Sequence, residues 1–166
     1  MLAVSLIVIS LIAPATAFSQ RGPGHGRRSA DLEPCDDLMD RGRRNEARGC
    51  YFERLKTAAD TATHAEVYWA VGSFQRANDQ FRAVVKARPE DPDARVRWGY
   101  LFLQTHNPSE AAKLFDEALK IDENHLAAKS AKAAVFSDRF EGKALELAKE
   151  VLDADPDLIE AYLLLA

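Results

Sequence analysis

The stretch PSEAAKLFDEALKID, Pro108 to Asp122, decides how this chain folds. It reads as one amphipathic helix, and close relatives of it stand on both sides at nearly the same interval. FQRANDQFRAVVKARPED (Phe74 to Asp91) precedes it and FEGKALELAKEVLDADPD (Phe140 to Asp157) follows. Ala77, Phe81 and Val84 recur in the same spacing as Ala111, Phe115 and Ala118. Ala144, Ala148 and Val151 come next, one position short of the same interval. The helix breakers keep step: Pro89, Glu123 in the equivalent place, then Pro156. Upstream of each stretch lies a second helix, best seen in ARVRWGYLFLQ, Ala94 to Gln104. Two helices in a period of about 34 residues are the signature of a helical-repeat array.

The spacing has a physical reason. Gly99 on the first helix and Ala111 on the second are small enough to let two antiparallel helices approach closely. Trp98, Phe102 and Phe115 then fill the space beside that contact and against the next hairpin. Asn107-Pro108-Ser109-Glu110 restarts the chain as a helix, with Asn as the cap, Pro in the first turn and Glu reaching back. Asp91-Pro92 does the same one helix earlier. No strand-like alternation interrupts the pattern. The expected fold class is all-α, an α-solenoid of antiparallel helix hairpins.

A chain of 166 residues, 47% hydrophobic and 29% charged, suffices for one domain or a short array, and its composition argues against disorder over most of its length. The net charge of −4 is unevenly spread. Residues 18–30, FSQRGPGHGRRSA, hold Arg21, Arg27 and Arg28 without an acid, leaving −7 on the remainder. An acidic body behind a short basic lead argues against nucleic-acid binding. The lead contains Pro23 and three glycines, has no helical or strand period, and reads as a flexible connector. Ahead of it, MLAVSLIVISLIAPATA combines an apolar run from Leu2 to Ala13 with Pro14 and the small-x-small site Ala15-Thr16-Ala17. Residues 1–17 therefore read as a signal peptide removed after Ala17. The run is short for a mature membrane span and lacks the polar face of a buried helix. It departs from the usual signal in one respect, having no Lys or Arg before its apolar core. The expectation is an exported protein, periplasmic or secreted, with no stable membrane span after signal removal.

At these residues the chain resembles the tetratricopeptide repeat family, over roughly residues 58 to 166. In the best unit, 92–125, the family pattern of aromatic, small, aromatic, then Ala, aromatic, Ala falls on Trp98, Gly99, Phe102, Ala111, Phe115 and Ala118, while Glu123 replaces the usual Pro. The unit 58–91 keeps Gly72, Phe74, Ala77, Phe81 and Pro89. The unit 126–157 carries Lys132 where Leu is expected and one residue fewer between its helices. Residues 31–57 fit only through Gly42, Ala47 and Tyr51, and are expected to form a degenerate N-terminal cap. Residues 158–166 place Ala161, Tyr162, Leu165 and Ala166 where a next first helix would begin, which implies a longer repeat protein.

The chemistry of catalysis is not visible in the sequence. His25, His64, His106 and His125 are scattered without metal-ligand spacing, and the last two sit near turns where solvation is expected. Gly142-Lys143 lacks the upstream glycine of a phosphate loop. No nucleophile, base and acid can be grouped, so no enzyme, cofactor or metal site is expected within these residues.

What the resemblance implies instead is a groove lined by the first helices of successive hairpins, which holds a peptide or a partner protein. Carried over by position, Ala62, Glu66 and Trp69 line it in one unit, Val96, Arg97, Tyr100 and Gln104 in the next, and Ser130 in the one after. The Lys and Asn clamp with which one subfamily grips a terminal carboxylate is not met, since those places hold Ala62, Glu66, Val96 and Tyr100. Trp69, Arg97 and Tyr100 are of types enriched at binding hot spots, and Trp69 and Tyr100 equally suit packing between hairpins. The functional expectation is an exported scaffold for a protein or peptide partner. The alternative is the leading region of a larger exported enzyme, a hydrolase or peptidase. A lipid-anchored assembly factor would need Cys after the cleavage site, where Phe18 stands. Cys35 and Cys50, the only cysteines, fall on the two helices of the N-terminal hairpin either side of Gly42. An oxidising compartment would join them, worth about 3 kcal/mol through the unfolded chain; two buried thiols are the alternative.

Overall fold

The computed structural model describes residues 29–137, 142–158 and 161. The signal segment 1–17, the lead as far as residue 28 and most of 158–166 lie outside the described residues. After a single 3-10 turn, Ala30–Leu32, the described chain is all α-helix: α1 (Glu33–Asp40), α2 (Arg44–Thr57), α3 (Thr61–Ala70), α4 (Phe74–Ala87), α5 (Pro92–Gln104), α6 (Pro108–Ile121), α7 (Leu126–Ser137) and α8 (Lys143–Ala154). They pack as consecutive pairs, α1 on α2, α3 on α4, α5 on α6 and α7 on α8. The second helix of each of the first three pairs rests on the first of the next, and α5 also reaches α7.

Three of the pairs are closed by the same device. At the ends of α1, α3 and α5 the residue after the cap turns left-handed: Gly42 (φ +74°), Gly72 (φ +79°) and His106 (φ +59°). Their N–H groups return to Met39, Trp69 and Leu103, and the next N–H groups, of Arg43, Ser73 and Asn107, return to Leu38, Tyr68 and Phe102. This is the Schellman arrangement, which satisfies the last carbonyls of each helix. Two of the three turns use Gly, which carries no Cβ penalty there; His106 bears it.

Starts are also capped. Asp60 accepts the N–H of Thr63 (2.9 Å), Asp91 that of Ala94 (3.2 Å) and Asn107 that of Glu110 (3.4 Å). His125 occupies the place of Asp91 one repeat later and does the same for α7, its Nδ1 accepting the N–H of Ala128 at 3.2 Å. Its Nε2 lies 3.4 Å from Asp93 Oδ1. His125 is therefore a half-buried cap, and the expectation of a solvated turn histidine is corrected. Between α6 and α7 the turn is sharp although Glu123 stands in place of Pro. Asp122 Oδ1 accepts the N–H of Asn124 (3.0 Å), as Asp155 Oδ1 accepts that of Asp157 (3.2 Å) one unit later. The same Asx turn closes both units, with Glu123 at its centre in one and Pro156 in the other.

The core follows the small-large rule. A Cβ built on Gly99 would stand 2.3 Å from Cε1 of the fully buried Phe115, so the two helices of this pair meet through that ring. Around it lie Val96, Ala111, Ala118, Ala127, Ala128, Ala131 and Val135. Lys132, out of pattern by sequence, reaches back to Asp116 on α6 at 2.5 Å and lies 5.6 Å from the Phe136 ring. The N-terminal pair has a small cluster of Leu32, Cys35, Ala47, Tyr51 and Val67. Cys35 and Cys50 are disulfide-bonded across it, Cα atoms 5.4 Å apart, and the Tyr51 hydroxyl donates to the buried Asp36 carboxylate.

Candidate functional site: the face of α3 and α5

Among the eight residues assigned to the groove from sequence, Glu66, Trp69, Arg97 and Gln104 form one connected cluster between α3 and α5. Arg97 donates from Nε and Nη2 to the two carboxylate oxygens of Glu66, at 2.7 and 2.6 Å. The pair is bidentate and buried, Glu66 exposing 3% of its surface and Arg97 9%. Trp69, one turn beyond Glu66, lays its ring over the Arg97 guanidinium at 4.5 Å and donates from Nε1 to Gln104 Oε1. On its other side Trp69 meets Phe81 edge to face, with centroids 6.0 Å apart. Tyr100 stands apart from this cluster, against Phe115 at 5.6 Å.

This arrangement revises how those positions act. Glu66 and Arg97 commit their charges to each other, so they tie α3 to α5. Trp69, Tyr100 and Gln104 keep part of their surface toward solvent. Val96 and Ser130, placed on the groove from sequence, are buried. The cause for Val96 is α7, whose Ala127, Ala128 and Ala131 let it close over that residue of α5. The sequence pattern places each of these residues on the first helix of its unit and does not carry the pairing between successive units. Opposite charges on first helices of adjacent units were the available signal.

Beside the ion pair lies a cleft of about 210 Å³. Ala62 and Glu66 line it from α3, Phe81, Val84 and Arg88 from α4 and its end, and Asp91, Asp93, Ala94 and Arg97 from α5, with Ser29 at the margin. Asp60, the cap of α3, belongs to the same neighbourhood. Partial burial raises its carboxyl's pKa, but the hydrogen bonds from Thr63, the amide of Ala62 and the charge of Arg88 together outweigh that and hold it below the ordinary carboxylate value. Among the described residues no group of three or more His, Cys, Asp or Glu is placed to hold a metal, and no helix is long and apolar enough to cross a membrane.

The comparisons bear on the fold. Residues 63–125, from within α3 to the cap of α7, match the family model described as Tetratricopeptide repeat. Solved structures similar to the chain include YrrB, a TPR protein with an unusual peptide-binding site (TM-score 0.57, 18% identity, covering 77% of this chain and 69% of that one). They also include MamA (TM-score 0.53, 14% identity, 74% of each chain) and a double mutant of MamA RS-1 (TM-score 0.56, 19% identity, 82% of each). At such identities these show a shared fold. No curated protein matches the chain. Residues 63–125 are thus similar to the tetratricopeptide repeat, and the described residues share the fold of the solved structures above.

Proposed function

We propose that the chain is a non-catalytic scaffold that binds a peptide or a protein segment along the face of its first helices, with Trp69, Tyr100 and Gln104 as contact residues. The observation that carries this is the cluster on α3 and α5. A cation–π stack, a bidentate ion pair and a Trp–Gln hydrogen bond hold two rigid helices in register and leave aromatic surface at their edge. Ordered aromatic surface of this kind binds at low entropic cost. That YrrB is described as having a peptide-binding site supports the reading by fold analogy.

The scaffold is proposed to be exported. Two independent features support this: the apolar run with its Ala15-Thr16-Ala17 site, and the bonded Cys35–Cys50 pair, which persists in an oxidising compartment. Mass spectrometry of exported protein should find a mature start at Phe18 and no free thiol; retention of Met1 would remove the export reading. Binding is tested by selecting displayed random peptides on the chain and measuring their affinity for Trp69→Ala and Tyr100→Ala variants. A loss of about tenfold or more is expected for a contact aromatic. Selected peptides that bind both variants unchanged would place the site elsewhere.

A further inference from the structure

The N-terminal pair is held together differently from the pairs that follow it. α4, α6 and α8 each bury three or more apolar side chains, whereas α2 buries only Ala47 and Tyr51. Its partner α1 buries only Cys35 and Asp36. One of these is half of the disulfide, and the other is the carboxylate that accepts the Tyr51 hydroxyl. Leu38 and Met39 add partly buried surface. Burying a carboxylate costs free energy that a hydrogen bond offsets only in part, and an eight-residue helix does not persist alone. The neighbours of α1 are α2 and the 3-10 turn before it. We infer that the Cys35–Cys50 bond is a redox latch: intact, it keeps α1 docked on α2, and on its reduction this pair opens while the later pairs keep their fold.

The rest of the array does not depend on the latch. α3 packs on α4 and α4 on α5, and the Glu66–Arg97 pair at 2.6 Å ties α3 to α5 as well. Opening the first pair uncovers Val67 of α3, which completes the N-terminal cluster, with Ala70 and Val71 beside it. The latch therefore sets how much apolar surface this end of the array presents. Access decides where reduction starts. Cys35 is fully buried, while Cys50 keeps part of its surface toward solvent. Next to it, Gly49 lies inside α2, where glycine weakens a helix, and a Cβ built on it would meet nothing within 4 Å. No packing contact calls for that glycine, and its missing side chain leaves the approach to Cys50 clear. A dithiol reductant enters there: its thiolate attacks Cys50 Sγ, the S–S bond breaks, and Cys35 leaves as a thiolate that takes up a proton. The reductant's second thiol then displaces Cys50 and closes the reductant's own disulfide. Two electrons and two protons pass from the dithiol to the protein.

The test is amide hydrogen exchange of the full chain, read by mass spectrometry before and after dithiothreitol. The bond joins residues 15 positions apart, and releasing a loop of that length favours the open state on the order of 100-fold. Amides of α1 and α2 should exchange faster by about that factor after reduction, and those of α5 and α6 should keep their rates. The double variant Cys35→Ala/Cys50→Ala should show the same pattern without any reductant, which separates loss of the bond from any effect of the reagent. Unchanged exchange in α1 and α2, in the reduced chain or the double variant, would overturn the latch. So would equal acceleration in α5 and α6, because the first pair would then not open by itself. Limiting glutathione, quenched with acid and mapped by peptide, should be recovered on Cys50; recovery mainly on Cys35 would overturn the assigned point of entry.

Discussion

Adding one methyl group at Gly99 should open the central hairpin. A Cβ there would stand 2.3 Å from Phe115 Cε1, 2.8 Å from Cζ and 2.9 Å from Cδ1, where carbon atoms normally rest about 3.5–4.0 Å apart. The ring has no room to retreat, being fully buried with Tyr100 at 5.6 Å and Ala111 and Ala118 in the same cluster. Relief requires α5 and α6 to separate by about 1 Å, and overpacking of this kind costs roughly 1–3 kcal/mol. Helix propensity opposes it, since Ala in a helix interior is favoured over Gly by about 1 kcal/mol. Steric cost should win, giving a net loss of up to about 2 kcal/mol for Gly99→Ala. Urea unfolding followed by helical ellipticity measures it. Phe115→Leu in the same chain should couple with Gly99→Ala, the double variant being more stable than the sum of the singles by upwards of about 0.5 kcal/mol. A Gly99→Ala chain as stable as the parent, with no coupling to Phe115, would refute the close approach on which the hairpin is built.

Other parts of the structure make their own predictions. Glu66→Ala or Arg97→Ala strands a buried charge and should cost about 3–5 kcal/mol in urea unfolding, whereas replacing both with apolar residues of similar volume should recover most of it; two small single losses would mean the pair is not buried. His106→Gly removes a left-handed Cβ and should stabilise by about 1 kcal/mol in the same assay, and a loss would contradict the turn geometry. Because the Asp60 carboxyl is held below its usual pKa, its contribution is full above the unfolded-state value and lost as pH falls through the folded one. Asp60→Asn keeps the cap and should lessen the acid-induced loss of stability in that window; an unchanged acid limb would remove Asp60 from the account.

The repeat was legible because it rests on residue size. Ala111, Phe115 and Ala118 recur as Ala77, Phe81 and Val84, and the same volumes must fill the same gaps in each hairpin. The caps at Asp91 and Asn107 were legible for a similar reason, each being a local feature read within a single helical turn. His125 and His106 were missed because residue type misled where register would not. Each stands one full repeat after a residue with the same role, Asp91 as a cap and Gly72 as a left-handed turn. The candidate site was harder. Position along the family pattern named Glu66, Trp69, Arg97 and Gln104, but their bonding depends on the distance between α3 and α5, which no local pattern encodes. Val96 left the surface for a related reason: the run of alanines on α7 lets it sit closer to α5 than a bulkier helix would.

On the proposed reading, the stacked first helices form a binding face. The most direct measurement is the map of backbone amide shifts when a display-selected peptide is added to the labelled full chain. The largest shifts should cluster at Trp69, Tyr100 and Gln104, with Phe52, Phe74 and Leu145, exposed apolar residues of the second helices, unmoved. Shifts concentrated on Phe52, Phe74 and Leu145, with α3 and α5 silent, would contradict it.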